Sequence, residues 1–475
     1  MNILSFLVLA AVELAAPFSD HMVVQRRMKV PVWGRADPGE RIRVSFAGQS
    51  VEAVADAEGR WRANLPPMEA CAEGRSLSVN DVEVRDVLVG EVWLCAGQSN
   101  MGVEFCCTLP HCRDKQGAML AQTLRKPQLR FASTAADKYD SRPWERPLKP
   151  IEWKAFTPEG LRPPSFSAVA VYFALSVHDA TGLPIGLVGV YRGATGIDSW
   201  TPCDGIPERT KDRDDCQPGV YWNTVVNPWV PFAARGMIWY QGEHDASEPD
   251  AYAGKLRRLY DGWRTRFANP DLRFYYAQLC SWGGNVAPMQ EAQARFEREE
   301  PNAAMAVTTD VCNLTDIHPN DKEPVGRRLA LHAIRRDYGR EFGFEDIQDN
   351  SPSFAGLTVT GAVATVSVRD ARELYIYNRD FSTSNGFEIA GADGVWRTAR
   401  ILNLKDGRDP GAKEPRYFGQ LIGTNILLSA EGVEKPIRVR YLHSRPWTGN
   451  LYNEVDLPMG PFDAESEGIH VDTPR

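Results

Sequence analysis

Four polar clusters each follow an apolar run: GQSN at 97–100, YRGATGIDSW at 191–200, YQGEHDA at 240–246 and NLTDIHP at 313–319. Together they hold the groups that nucleophilic acyl chemistry needs, namely a hydroxyl, a base to deprotonate it, and donors for an oxyanion. Ser99 has two readings, because a lone serine after a strand is more often a helix N-cap than a nucleophile. The surrounding residues do not form the G-x-S-x-G elbow, since Met101 stands where its second glycine would be.

A base that works near neutral pH is most often histidine. Of the eight histidines, His178 and His332 fall in expected helices, His21, His443 and His470 in β-regions, and His111 in a Pro/Cys-rich loop. His244 and His318 remain. Asp316 precedes His318 by two residues. It either orients the imidazole or closes an Asx turn before Pro319. Candidate oxyanion donors are the main chain at Gly193 and the Gln241 amide, with Asn100 a further amide beside the serine. Gly193 reads equally as a turn glycine and Gln241 as a buried amide bonding main chain. Glu243 serves either as an acid/base or as a brace between loops.

Stepping these clusters into place requires strands that end on a common edge. In open parallel α/β sheets, functional groups collect at the carboxyl ends of the strands. Between Val87 and Ile334 the runs VLVGEVWLCAG, PIGLVGVYRG, RGMIWYQGE, LRFYYAQL and AAMAVTTD alternate with helical stretches. That alternation predicts a parallel sheet covered on both faces. The helices expected are SFSAVAVYFALSVHDATG, capped by Ser165 or Ser167 and stopped at Gly182, then EPDAYAGKLRRLYDGWRTRF and DKEPVGRRLALHAIRRDYG. Short alternating runs before and after this region read as antiparallel β-structure. The expected division is residues 1–12 as a degenerate signal segment, 13–86 as an N-terminal β-domain, 87–340 as an α/β domain, and 341–475 as a C-terminal β-region that either stands alone or packs with the N-terminal one.

The chain has 475 residues, is 43% apolar, and carries a net charge of −8. An acidic balance argues against a nucleic-acid partner. Nine cysteines form no CxxC pair, so neither a zinc ribbon nor a thioredoxin motif is expected, and no metal site is assigned, including at Cys106, Cys107 and Cys112. No run is apolar enough to cross a membrane. The apolar start resembles a signal h-region without its basic flank, which leaves periplasmic or extracellular and cytoplasmic locations both open. Oligomeric state is not readable from the sequence.

The chain resembles the sialate O-acetylesterase family, a branch of the SGNH/GDSL-like esterases. FSDHMVVQRRMKVPVWGRADPGE is similar to its opening β-domain signature and GEVWLCAGQSNM to its nucleophile block. PIGLVGVYRGATGIDSW resembles the oxyanion-glycine block, NTVVNPWVPFAARGMIWYQGEHDA the Gln-Gly-Glu block, TDIHPNDKEPVGRRLA the histidine block, and GNLYNEVDLPMGPF the carboxyl-terminal signature. The resemblance implies an SGNH-hydrolase-like parallel sheet with helices on both faces, flanked by antiparallel β-regions. It implies hydrolysis of O-acetyl esters on carbohydrates, sialic acids first, without a cofactor. Ser99, His318 and Asp316 would be catalytic, the Ser99 N–H, Gly193 and Gln241 would form the oxyanion hole, and Gln98, Asn100, Arg192, Glu243 and His244 would line the substrate. Ala194 replaces the usual second glycine, His244 a common serine, and Asp316 stands one residue closer to the histidine than in many relatives. Acetylated plant or bacterial polysaccharide is the alternative substrate, and a non-catalytic carbohydrate-binding protein the alternative class.

Overall fold

The computed structural model of the chain describes residues 12–105, 113–135, 140, 142–162, 166–203, 217–378, 386–408, 417–444 and 447–466. Cys106, Cys107, His111, Cys112, Ser165, Cys216, His470 and the expected signal segment up to residue 11 lie outside the described residues. The chain forms two compact units, residues 1–239 with 255–274, and residues 240–254 with 275–475.

The organising element of the first unit is one long strand, Val82–Gly97. Its opening residues alternate between exposed and buried and pair antiparallel with Cys71–Val79, as a half-solvated hairpin should. From Val87 onward every residue is buried, and the strand pairs in parallel with Val23–Gln25 and Ile185–Tyr191. The same strand thus passes from β-hairpin grammar to buried-sheet grammar without a break. Gly90 sits at this passage because a β-carbon there would fall 2.1 Å from the Pro184 carbonyl oxygen.

Outward from Ile185–Tyr191 come Lys126–Ser133, parallel, and Lys154–Phe156, antiparallel, while Gly236–Tyr240 flanks Val82–Gly97 on its other side. The sheet is therefore of mixed orientation, where the alternation of runs predicts a parallel one. Among the described residues between the short edge strand Lys154–Phe156 and its neighbour there is no crossover helix, and the strand runs back antiparallel. The helix Ala168–Thr181 begins at Ser167, whose hydroxyl accepts from the Ala170 N–H at 3.2 Å, and ends at left-handed Gly182. Its Phe173 packs edge-on against Trp93 at 5.0 Å between centroids, joining helix to sheet. Ahead of the long strand, Val30–Arg35 pairs with Arg60–Leu65 and Arg41–Phe46 with Gln49–Val54, all antiparallel.

Glu91, midway along the long strand, has no exposed surface. Its carboxylate meets Arg26 Nε at 2.5 Å, Arg235 Nε at 3.1 Å and Gln25 Nε2 at 2.9 Å. Removing one member of a buried ion pair strands the remaining charge, at a cost of about 3–5 kcal/mol. Glu91→Gln leaves the buried Arg26 guanidinium without its counter-charge. Equilibrium urea unfolding should register a loss of roughly that size, and a variant within 1 kcal/mol (~) of wild type would refute it.

The second unit holds the strand Ala303–Ala306 and most of Arg273–Ala277, with helices Ala287–Glu299 and Glu323–Arg336. It continues into three antiparallel four-stranded sheets. The first contains the hairpin Ser353–Thr360 with Val363–Arg369, the second Leu374–Asn378, and the third Phe387–Ala390 with Arg438–Tyr441. Leu357, Val366, Leu374, Ile389, Ile426 and Val439 fill their common core. His332 proves to be a packed core residue, 1% exposed, with Nδ1 3.1 Å from Asp349. Burial raises the Asp349 carboxyl, but His332 and Arg336 outweigh it and hold it well below the usual carboxylate range.

Candidate active site

In the first unit the chain leaves the long strand at Gly97, whose φ of 137° is open to glycine but strained for other residues. One helical turn follows, Ser99–Gly102, and its N-cap position falls on Gln98, which makes no side-chain cap bond. Ser99 is the first helical residue, not the cap, so the commoner structural reading of this serine does not hold. It is half-buried, whereas Gln98 and Asn100 are 3% and 1% exposed.

The loop after the neighbouring parallel strand comes to the same place. The ladder ends with Tyr191 opposite Gly97, and the Arg192 N–H then donates to the Gly97 carbonyl at 3.1 Å. Gly193 follows so closely that a β-carbon on it would stand 3.5 Å from Ser99 Cβ. Arg192, Gly193 and Ala194 are exposed, so this meeting of two loops is open to solvent. Thr195 fixes the loop from beneath, its hydroxyl donating to the Arg192 carbonyl at 2.8 Å and accepting from Trp200 Nε1 at 2.9 Å. Trp200, Trp222 and Trp239 are all core residues, and Trp200 stacks on Tyr221.

Ala194 adopts φ 59°, the left-handed region. An L-residue there costs roughly 1–2 kcal/mol, of which the lower unfolded-state entropy of alanine returns about 0.4–1. Ala194→Gly should therefore raise stability by about 0.5–1 kcal/mol in a denaturant titration. A destabilised variant would show that the Ala194 methyl makes packing contacts that outweigh the strain.

In the second unit, Gln241 follows the strand end at Tyr240 and is fully buried. Its Nε2 donates to Asp245 Oδ2 at 2.6 Å, and its Oε1 accepts from the Tyr252 hydroxyl at 2.7 Å. Tyr252 also reaches the Gln241 carbonyl at 2.9 Å, and Gln293 Nε2 approaches that carbonyl at 3.4 Å. The side-chain amide is thus held in one orientation by Asp245 and Tyr252, and the main-chain carbonyl by Tyr252 and Gln293, three residues that sequence reasoning did not single out. Nothing in their spacing announces them, because Tyr252 and Gln293 come from separate helices. Glu243 is half-buried and His244 exposed, both in the short turn Glu243–Asp245.

His318 and Asp316 lie together on the loop after Ala303–Ala306. Asp316 Oδ1 accepts the His318 main-chain N–H at 2.9 Å and stands 3.5 Å from the imidazole Nδ1. One carboxylate oxygen thus closes an Asx turn and faces the ring. His178 makes only a structural contact, its Nδ1 2.8 Å from the Leu183 carbonyl. A cleft of about 790 Å³ in this unit, with Glu291, Arg298, Asp370 and Phe462 among its walls, includes none of the candidate residues. Among the described residues no cluster of His, Cys, Asp or Glu is arranged to hold a metal, and no helix is long and apolar enough to cross a membrane.

A family model described as carbohydrate esterase, sialic acid-specific acetylesterase matches residues 89–335. The sialate O-acetylesterase of Homo sapiens is 27% identical over 377 residues, covering 69% of this chain and 71% of its own. That of Mus musculus is 26% identical over 403 residues, covering 69% and 74%. The crystal structure of a carbohydrate acetylesterase from Xanthomonas citri matches with a TM-score of 0.82 at 29% identity, over 96% of this chain and all of that one. These matches, with a mixed α/β sheet flanked by antiparallel sheets, define a carboxylic ester hydrolase. The chain belongs to the carbohydrate esterase family of sialic acid-specific acetylesterases, and its reaction class is the hydrolysis of acetyl esters on sugars.

Proposed function

We propose that the chain removes O-acetyl groups from sugars, O-acetylated sialic acids first among them, through an acetyl-enzyme on Ser99 carried by an SGNH-like domain at 87–340. His318 deprotonates Ser99, which attacks the acetyl carbonyl. The oxyanion is received by the main-chain N–H of Ser99, by the Gly193 loop and by Gln241. His318 then protonates the departing sugar hydroxyl and activates the water that releases acetate. The observation that carries the reading is the seat of Gly193 against Ser99, 3.5 Å from β-carbon to β-carbon were one present. A glycine there lets an ester carbonyl come close to both loops. Asp316 orients His318, and Gln98, Asn100, Arg192, Glu243 and His244 serve the acyl and sugar sides. A periplasmic or extracellular place of action goes with this reading, and cell fractionation checks it.

The alternative substrate is acetylated plant or bacterial polysaccharide, and the Xanthomonas citri relative, described only as a carbohydrate acetylesterase, is compatible with either sugar class. Acetate release from a panel of O-acetylated sialic acids and acetylated xylo-oligosaccharides separates the two. Faster turnover of sialic acids supports the first, and preference for xylo-oligosaccharides the second. Sugar binding without acetate release from any ester would replace both with a binding protein.

A further inference from the structure

Two thiols of the second unit meet beneath the loops that carry Gln241 and His318. Cys280 follows the strand Arg273–Ala277, and Cys312 follows Ala303–Ala306 and opens the segment leading to His318. Both are free cysteines, and their side chains are in hydrogen-bond contact. Their sulfurs share the Thr308 carbonyl, at 3.4 Å from Cys280 and 3.6 Å from Cys312, and the Ser281 N–H donates to Cys312 Sγ at 3.0 Å. Around them stand the Tyr240 hydroxyl, 3.8 Å from Cys280 Sγ, and the buried Lys322, whose Nζ lies 5.3 Å from the Tyr240 ring centroid.

We infer that Cys280 and Cys312 are a dithiol modification site for small hydroperoxides, closing to a disulfide that ties the His318 loop to the segment after the strand Arg273–Ala277. The Cys280 thiolate attacks one peroxide oxygen, the O–O bond breaks, and hydroxide (or alkoxide) leaves, giving a sulfenic acid. The Cys312 thiol then displaces that hydroxyl as water and forms the S–S bond. The two thiols together give up two electrons and two protons, and the peroxide takes them up to leave as two waters, or as water and an alcohol.

The electrostatics of the pair suit these roles. Burial alone would raise the Cys280 thiol, but contacts with Cys312 and Thr308 and the charge of Lys322 outweigh it and bring it below the ordinary value. Cys312, half-buried, is pushed well up, first by its hydrogen bond to Cys280 and then by burial. The Tyr240 hydroxyl beside Cys280 Sγ can donate to a thiolate there, so Cys280 is the sulfur that attacks and Cys312 the one that resolves. Cys280 is only 3% exposed, which selects an oxidant the size of hydrogen peroxide over a bulky disulfide. The effect on rate rests on the role proposed above for His318, whereas the chemistry at sulfur does not.

The test treats the full chain with hydrogen peroxide, alkylates remaining thiols and maps the peptides. Sulfoxide at Met119, which is 67% exposed, certifies the dose. The expected result is a Cys280–Cys312 linked peptide two hydrogens lighter than its parts, with a loss of acetate release that dithiothreitol reverses. In Cys312→Ser the sulfenic acid should persist on Cys280 and be trapped by dimedone present as the oxidised protein is unfolded. Both thiols still alkylated when Met119 is oxidised, or Cys280 bridged to another cysteine, overturns the inference. A linked peptide with unchanged acetate release overturns the tie to the His318 loop, while an inactive unoxidised enzyme in which the bridge still forms counts against the esterase reading alone.

Discussion

Ser99→Ala is expected to lower kcat for acetate release on the order of 10⁶-fold, with the unfolding midpoint held near wild type. The size follows from the covalent route: without the hydroxyl there is no acetyl-enzyme, and only binding and oxyanion stabilisation remain. Unchanged stability follows from local structure. Ser99 is half-buried, and the helix it opens takes its cap position at Gln98, so alanine neither opens a large cavity nor removes a cap. Acetate release from 4-nitrophenyl acetate, measured beside thermal unfolding, checks both halves. A variant that keeps even a tenth (~) of the rate would remove Ser99 from the mechanism.

The path to that serine was legible because it is written in local patterns. The buried run ending at Gly97 and the helix between Ser167 and Gly182 both follow from periodicity and punctuation. The helix Ala287–Glu299 was not, because its inward face carries Gln290 and Gln293 among Ala287, Met289 and Phe296. Those amides bond the main chain of Leu279, Gln290 through its Nε2 at 2.6 Å and Gln293 through its Oε1 at 2.9 Å, so they break the apolar stripe that announces a helix. The brace on Gln241 was hidden for a related reason. Its partners are chosen by three-dimensional placement, and a single sequence carries no mark of that. Ser99 could be weighed as cap or nucleophile from its neighbours, but only the backbone decides where the cap falls.

His318→Ala should fall nearly as far as Ser99→Ala, on the order of 10⁶-fold in kcat, because a serine without its base is a poor nucleophile. Asp316 is the more discriminating position. Its Oδ1 receives the His318 main-chain N–H at 2.9 Å and faces Nδ1 at 3.5 Å, so the carboxylate both shapes the loop and places a negative charge beside the ring. Asparagine keeps an oxygen for the turn and removes the charge, whereas alanine removes both. If the charge orients the imidazole and steadies its protonated form, Asp316→Asn loses between roughly 10² and 10⁴ in kcat with stability unchanged. Asp316→Ala should lose at least as much rate and some stability besides. An Asp316→Asn enzyme at nearly full rate would assign the residue to the turn alone, leaving the imidazole to be oriented by a main-chain carbonyl.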